Sequence, residues 1–88
     1  MAFIIGTNGS RKVVNRNRPW TLAECQASVR GYVEMVPYST GTVDRVPWLA
    51  LVNEDGISKG MSYNAKASAM LACEVYGPVL FLREDELE

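Results

Sequence analysis

The sequence contains no histidine, and its 88 residues include only two cysteines. Histidine is the commonest general base near neutral pH and the commonest metal ligand, so its absence removes Ser-His-Asp and Cys-His chemistry from a single chain. Cys25 and Cys73 are too few for a disulfide scaffold or an ordinary zinc site, and we expect both to be small buried residues in helices. The sequence therefore predicts a protein that is not an enzyme and that uses no metal or cofactor.

Long apolar runs are also missing. No segment reaches the length that a membrane-spanning helix needs, and Phe3–Ile5 is too short for the apolar part of a signal peptide. We therefore expect a cytoplasmic protein with no membrane contact. The composition, 48% apolar and 22% charged, is that of one small globular domain, whose thin stability margin a homodimer would widen. We expect this domain to span residues 1–83, followed by an acidic tail at residues 84–88.

The pattern of β-prone and helical segments predicts an α+β domain with the order β-β-α-β-β-α-β. Asn8-Gly9 between two β-prone runs favours a hairpin with a type I′ turn. Thr21 and Glu24 fit the capping box of a first helix, which Gly31 would end. Strands are predicted at about 2–7, 10–15, 32–37, 48–52 and 78–82, with a short return strand at 57–60, and helices at 22–30 and 65–73.

The second helix begins after Asn64, a good N-cap, and would bury Ala69, Met70 and Cys73. Both helices are expected on one face of a mainly antiparallel sheet. Residues 38–46, rich in Ser, Thr and Gly, are expected to form a loop.

The charge is unevenly distributed along the chain. Residues 1–45 carry six basic and three acidic groups and residues 46–88 carry three basic and seven acidic groups, so the two parts have charges of +3 and −4. Arg11, Lys12, Arg16 and Arg18 hold most of the basic excess, close to Trp20. Guanidinium groups bind phosphates and an indole stacks on a base, so this segment is a candidate for binding a nucleotide or, weakly, a nucleic acid.

Four further residues are candidates for binding a ligand or partner. Tyr32 and Trp48 offer aromatic contacts, and Asn53 offers an amide group. Glu34 lies within a strand, where its charge would need a partner such as Arg30 or Arg45 if a helix covers it. The complete set of candidate binding residues is Arg11, Arg16, Arg18, Tyr32, Glu34, Trp48, Asn53 and Asn64.

Four short segments occur in a characteristic order: Gly31–Glu34, Leu51–Gly56, Gly60–Ala65 and Tyr76–Val79. In this order the chain resembles a family of small phage and mobile-element proteins that form a domain of unknown function, over about residues 20–82. The resemblance implies an accessory protein that acts in the bacterial cytoplasm, and it brings no catalytic residue with it. Small accessory phage proteins often act by binding.

Two functions follow as hypotheses. The first is a non-enzymatic accessory protein that binds and inhibits a host bacterial protein, for example a component of a defence system. The alternative is a dimeric protein that binds or sequesters a small molecule, namely a nucleotide, with weak nucleic-acid binding through Arg11–Arg18 as a further alternative.

Overall fold

The structure is a computed structural model that describes residues 1–38 and 48–88. The loop expected at residues 38–46 therefore lies outside the described residues except for Tyr38, which belongs to a strand. The elements are β1 (Ala2–Ile5), β2 (Arg11–Val14), α1 (Leu22–Val29), β3 (Val33–Tyr38), β4 (Trp48–Asn53), α2 (Ala65–Leu71) and β5 (Val79–Arg83), with a short 3₁₀ helix at Glu84–Glu86. This confirms the α+β class and the order β-β-α-β-β-α-β, whereas the residues expected to form a return strand at 57–60 form turns instead.

The five strands form one antiparallel sheet in the order β2-β1-β5-β4-β3. The last strand of the chain therefore occupies the centre, between β1 and β4. In this register β1 and β4 end at the same end of the sheet at which β3 and β5 begin, because Ile5 pairs with Val79, Leu51 with Leu80 and Val33 with Asn53.

The two helices lie on opposite faces of this sheet, so the expectation that both cover one face is wrong. Val79 and Phe81 belong to the core on the α2 side, and Leu80 and Leu82 belong to the core on the α1 side. All four side chains are fully buried. Successive residues of a strand point to opposite faces, so a central strand that is apolar at every position needs cover on both sides.

The first hairpin turns through five residues, Gly6–Ser10, rather than through a two-residue type I′ turn. Gly9 has a positive φ of 84°, its N–H donates to the carbonyl of Gly6, and the Asn8 side chain accepts from the N–H of Ser10. A type I′ turn needs a positive φ at both central residues, and Asn8 does not have one. The longer turn carries Gly6, Thr7 and Asn8 out over the end of the sheet.

Helix α1 begins as expected and ends one residue earlier than expected. The Thr21–Glu24 capping box is present, but the left-handed residue at the C-terminus is Arg30, with φ 64°, and not Gly31. Gly31 is required for a different reason: a Cβ there would lie 2.5 Å from Lys59 Nζ and 2.8 Å from Asn53 Nδ2. The glycine therefore allows the loop after β4 to pack against the end of α1.

Helix α2 buries a face that matches the prediction only in part, because Met70 is half-buried against the core on the α2 side whereas Ala69 is exposed. Asn64 caps it as expected, accepting a hydrogen bond from the N–H of Ala67. The buried residues are Ala67 and Ser68, and Cys73 is exposed because the helix already ends at Leu71. Ser68 is held by exchanging hydrogen bonds with the backbone of Val75, so the expectation of two buried cysteines holds only for Cys25.

The acidic C-terminal residues pack on the domain. Trp20 is buried, its backbone N–H donates to the carbonyl of Glu86 at 2.7 Å, and its backbone carbonyl accepts from the N–H of Glu88. Leu87 packs against the core on the α1 side, and the Glu86 carboxylate lies 3.0 Å from the amino group of Met1. Residues 84–88 thus cover Trp20 instead of extending away as a separate tail.

Candidate functional site

Two cavities open at the end of the sheet where β1 and β4 finish. The loop after β4 separates them: residues 53–58 line one cavity and residues 60–62 line the other. The connection after α2 is divided in the same way, because Tyr76 lines the first cavity while Gly77 and Pro78 line the second. The two cavities thus share walls made of the same backbone.

The first, which we call the acidic cavity, has a volume of about 420 Å³. Its apolar floor comes from Val36, Val52 and Val75, of which the last two are buried. Four carboxylates also line it, Glu34, Glu54, Asp55 and Glu74, and no basic side chain of residues 1–38 or 48–88 does. It is therefore a cavity with an apolar floor and a negative rim.

Hydrogen bonds from the Asn53 side chain and a close backbone approach at Gly56 hold the walls of the acidic cavity in place. Asn53 is buried, its Nδ2 donates to the carbonyl of Val29 at 2.9 Å, and its Oδ1 accepts from the N–H of Asp55 at 2.8 Å. At Gly56 an added Cβ would meet the carbonyl oxygen of Tyr76 at 2.8 Å. The loop therefore approaches the segment after α2 as closely as backbone atoms permit, and Asp55 and Glu74 end up at one opening.

The carboxylates of this rim do not converge on a point. Within the described ranges, no group of three or more Cys, Asp and Glu side chains is arranged to hold a metal ion. Glu34 is exposed, and it makes no salt bridge with any described residue. A partner such as Arg30 or Arg45 is expected only if a helix covers Glu34; Glu34 is exposed and forms no salt bridge with Arg30, and Arg45 lies outside the described residues. These charges are left facing the solvent and the cavity.

The other candidate binding residues outside the N-terminal basic segment lie in three different environments. Tyr32 is 66% exposed, and its carbonyl accepts from the N–H of Glu54, beside the rim of the acidic cavity. Trp48 is half-buried, with its ring centroid 5.8 Å from that of Phe3. Asn64 is fully buried, and its Nδ2 donates to the carbonyls of Ile5 and Gly77. Asn64 therefore ties elements together and offers no group to a ligand.

The basic candidates near the N-terminus have partners within the chain. Arg16 forms a salt bridge with Glu24, and Arg18 forms a second one with the same carboxylate at 3.1 Å. Arg16 also stacks over Trp20 and Arg11 over Phe3, with the guanidinium carbon 4.5 Å and 4.2 Å from the ring centroids. The hydrogen bond from Arg16, followed by the one from the backbone N–H of Thr21, lowers the pKa of Glu24 to about 2. The structure does not bring these arginines to either cavity.

The second cavity, which we call the Arg30 cavity, has a volume of about 480 Å³. Its walls come from the first hairpin turn, the end of α1 and the glycine-containing segments around residues 60–62 and 77–78. Its lining residues are Gly6, Thr7, Asn8, Arg30, Gly60, Met61, Ser62, Gly77 and Pro78. Among the described residues Arg30 is the only charged one that lines this cavity, so its described lining has the opposite charge to that of the first.

Sequence reasoning missed most of the residues that line the two cavities. Glu34 and Asn53 are two of the predicted binding residues and do line the acidic cavity, but Cys73, Glu74 and Tyr76 come from a segment expected to be a helix end and a connection. The signal that points to them is chemical: the acidic excess of residues 46–88 includes Glu54, Asp55 and Glu74. Their meeting depends on the turn geometry between α2 and β5, which composition does not reveal.

Comparison with known proteins adds no relative to this description. In the part of the chain that the structure describes, neither helix is long and apolar enough to cross a membrane. No protein-family model matches the sequence, and comparison with curated proteins and with solved structures gave no significant match.

Proposed function

We propose that this chain is a non-enzymatic binding protein whose acidic cavity receives a lysine or arginine side chain of a partner protein. The observation that carries the proposal is the combination of an apolar floor with four carboxylates and no lining cation among the described residues. Charge complementarity therefore selects a basic partner segment over an acidic one.

The chemistry of a lysine or arginine side chain matches both parts of the cavity. Its methylene stem would pack on Val36, Val52 and Val75, and its charged end would reach Glu34, Glu54 or Glu74 at the rim. A volume of about 420 Å³ lies near the lower end of the range for small-ligand sites. This is room for one long side chain and a neighbouring residue, and not for a folded element.

The surface around the opening is also suited to a protein partner. Tyr32 is 66% exposed and Ile57 is 70% exposed, and Ile57 lines the cavity itself. Tyrosine is enriched at protein interfaces, where it contributes a large contact area with little loss of conformational entropy. The partner segment would therefore contact an aromatic and an aliphatic side chain around a central charged anchor.

The resemblance to small phage and mobile-element proteins supplies the biological setting of the proposal. In that setting the protein acts in the bacterial cytoplasm, and the partner is a host protein, such as a defence component, that is inhibited when its basic segment is occupied. The anchor chemistry supports this role because a basic segment is a common means by which host proteins contact nucleic acids.

The binding step can be tested with short peptides. The probe is Ac-Gly-Leu-Lys-Leu-Gly amide, and its matched control carries norleucine in place of lysine, which keeps the stem and removes the charge. In a ¹⁵N NMR titration at constant ionic strength, the lysine peptide should shift the amides of Glu34, Asp55 and Val75. The norleucine peptide should bind roughly tenfold more weakly, a difference of about 1.4 kcal/mol.

A double variant assigns the effect to the cavity. Glu34→Gln with Glu74→Gln removes two of the four rim carboxylates and should reduce the preference for lysine, whereas Glu84→Gln with Asp85→Asn, which removes two charges from the 3₁₀ helix, should leave it intact. Equal binding of both peptides, or unchanged binding by the first variant, would refute the proposal. If the peptide binds as expected, crosslinking from a bacterial host lysate with wild type and the first variant identifies partners that depend on the cavity.

A further inference from the structure

We infer that the Arg30 cavity is a separate site for a small phosphorylated ligand. The inference does not depend on the acidic cavity or on a protein partner. It rests on the charge of the lining, on the neutral donors beside it and on the cations that flank it.

Arg30 provides the charged group of this site. It is exposed, lines the cavity, and makes no salt bridge or side-chain hydrogen bond with any residue in the described ranges. No carboxylate of those ranges lines the cavity. A guanidinium group with free donors recognises a phosphate through two parallel N–H···O hydrogen bonds.

Neutral donors lie in the same walls. Thr7 and Ser62 line the cavity with exposed hydroxyl groups that make no hydrogen bond to any described residue. The Asn8 amide accepts from the N–H of Ser10 through its oxygen, which leaves its NH₂ group as a donor. Hydroxyl and amide groups of this kind satisfy the phosphate oxygens that an arginine does not reach.

Two lysines increase the positive potential around the opening. The Lys59 ammonium group lies over Gly31, next to Arg30 in the chain, as shown by the 2.5 Å between Nζ and an ideal Cβ at Gly31. Lys66 donates to the carbonyl of Gly9, next to Asn8, at 3.5 Å. Neither lysine is ion-paired within the described residues. The volume of about 480 Å³ is large enough for a mononucleotide-sized molecule.

Sodium phosphate and adenosine monophosphate are suitable probes, with sodium acetate as the control anion. In ¹⁵N NMR titrations at constant ionic strength, both phosphate-bearing probes should produce saturable shifts of the amides of Gly6, Thr7, Ser62 and Gly77, and acetate should not. Equal shifts with acetate, or no saturable shift with either phosphate-bearing probe, would overturn the inference.

Two variants locate the site. Arg30→Gly removes the guanidinium group and places glycine in the left-handed conformation that glycine tolerates best, so this variant should fold and bind phosphate at least tenfold more weakly. The matched control is Lys12→Gln, which removes a positive charge from β2, outside the cavity, and should bind normally. If Arg30→Gly binds as tightly as wild type, or if Lys12→Gln loses as much affinity, the site is not this cavity.

Discussion

The acidic cavity and the Arg30 cavity lie side by side and are built from the same loop, yet they carry opposite charge. The loop after β4 contributes Glu54 and Asp55 to one and Ser62 to the other. The acidic cavity has a floor of three valines, whereas the Arg30 cavity is lined mainly by polar groups and three glycines. One stretch of about ten residues thus separates a site suited to a cation with an apolar stem from a site suited to an anion.

This difference has a physical origin in the position of the loop relative to the sheet. The acidic cavity is continuous with the core on the α2 side through Val52 and Val75. The Arg30 cavity lies beyond the ends of β1 and β5, where the chain turns through Gly6 and Gly77. Among the described residues only Met61 and Pro78 give the Arg30 cavity apolar lining, so an occupant there must be held mainly by hydrogen bonds and charge.

The largest expected effect is that of Asn64→Ala, which disrupts the wall between the cavities. This buried side chain forms hydrogen bonds with the carbonyls of Ile5 and Gly77 and with the N–H of Ala67 at 2.9–3.0 Å. Its loss leaves these backbone groups without partners. We expect the free energy of unfolding to fall by about 3 kcal/mol, measured by urea denaturation. Asn17→Ala, at an exposed position, is the control and should change it little; equal losses would show that Asn64 does not join these elements.

A smaller effect on stability is expected from alanine at either of two glycines of the Arg30 cavity, and phosphate affinity should distinguish the two variants. Gly60 and Gly77 both have a positive φ, 69° and 87°, so alanine at either should cost about 1–2 kcal/mol of stability. Only at Gly77 would the new Cβ meet another group, the Met61 side chain at 2.9 Å. Gly77→Ala should therefore displace Met61 and weaken phosphate binding, while Gly60→Ala should keep that affinity. Equal phosphate affinities in the two variants would contradict this account of the wall.

Modification of Cys73 should affect the acidic cavity alone. Cys73 is exposed and lines that cavity, whereas Cys25 is buried, and burial, followed by the nearby charge of Glu24, raises the pKa of the Cys25 thiol. Iodoacetamide should add one group to the folded protein and two after denaturation, as measured by mass spectrometry. The singly modified protein should lose binding of the lysine peptide and retain binding of phosphate; rapid double modification would contradict the described burial of Cys25.

The smallest effect on the cavities is expected from Glu24→Gln, since Glu24 lies in neither. Its folded-state pKa of about 2 is below the ordinary 4.5, so its contribution to stability is present above about pH 4.5 and is lost as the pH falls towards 2. The variant should be less stable than wild type at pH 7, and the difference in urea midpoint should shrink between pH 5 and pH 2.

The same variant distinguishes two sites for phosphate. Glu24→Gln frees Arg16 and Arg18 from their ion pairs, so phosphate affinity should rise if these arginines bind the ligand. If Arg30 binds it, phosphate affinity should stay unchanged. An increase in affinity would therefore favour the segment Arg11–Arg18 over the Arg30 cavity.

The sequence predicts the elements of the fold because each rests on local physics. The capping box of Thr21 and Glu24, the Asn64 cap and the apolar run from Val79 to Leu82 depend on neighbours in the chain, and all three are present. The placement of the helices depends on which strand is central. The continuous apolar run of β5 indicates a strand that is covered on both faces. It does not indicate which helix covers which face, because that depends on the pairing of β5 with both β1 and β4.

The two cavities could be predicted only in part. Glu34 and Asn53 were visible as polar residues in a strand and at its end. The positions of Glu74 and Arg30 depend on where α2 and α1 end, at Leu71 and Val29. They also depend on Ala72 and Arg30, which adopt a left-handed conformation although neither is a glycine. Such conformations are unfavourable for ordinary residues and are imposed by tertiary packing, so the local sequence does not indicate them.

The central position of β5 also has a consequence for synthesis of the chain. Before residue 79 is added, β1–β2 and β3–β4 are two separate hairpins that share no strand pairing, because each pairs with β5 and not with the other. Isolated two-stranded hairpins are at best marginally stable in water. The nascent chain therefore gains most of its sheet in one late step, when the fifth strand enters between the two hairpins, and both cavities are completed in that step.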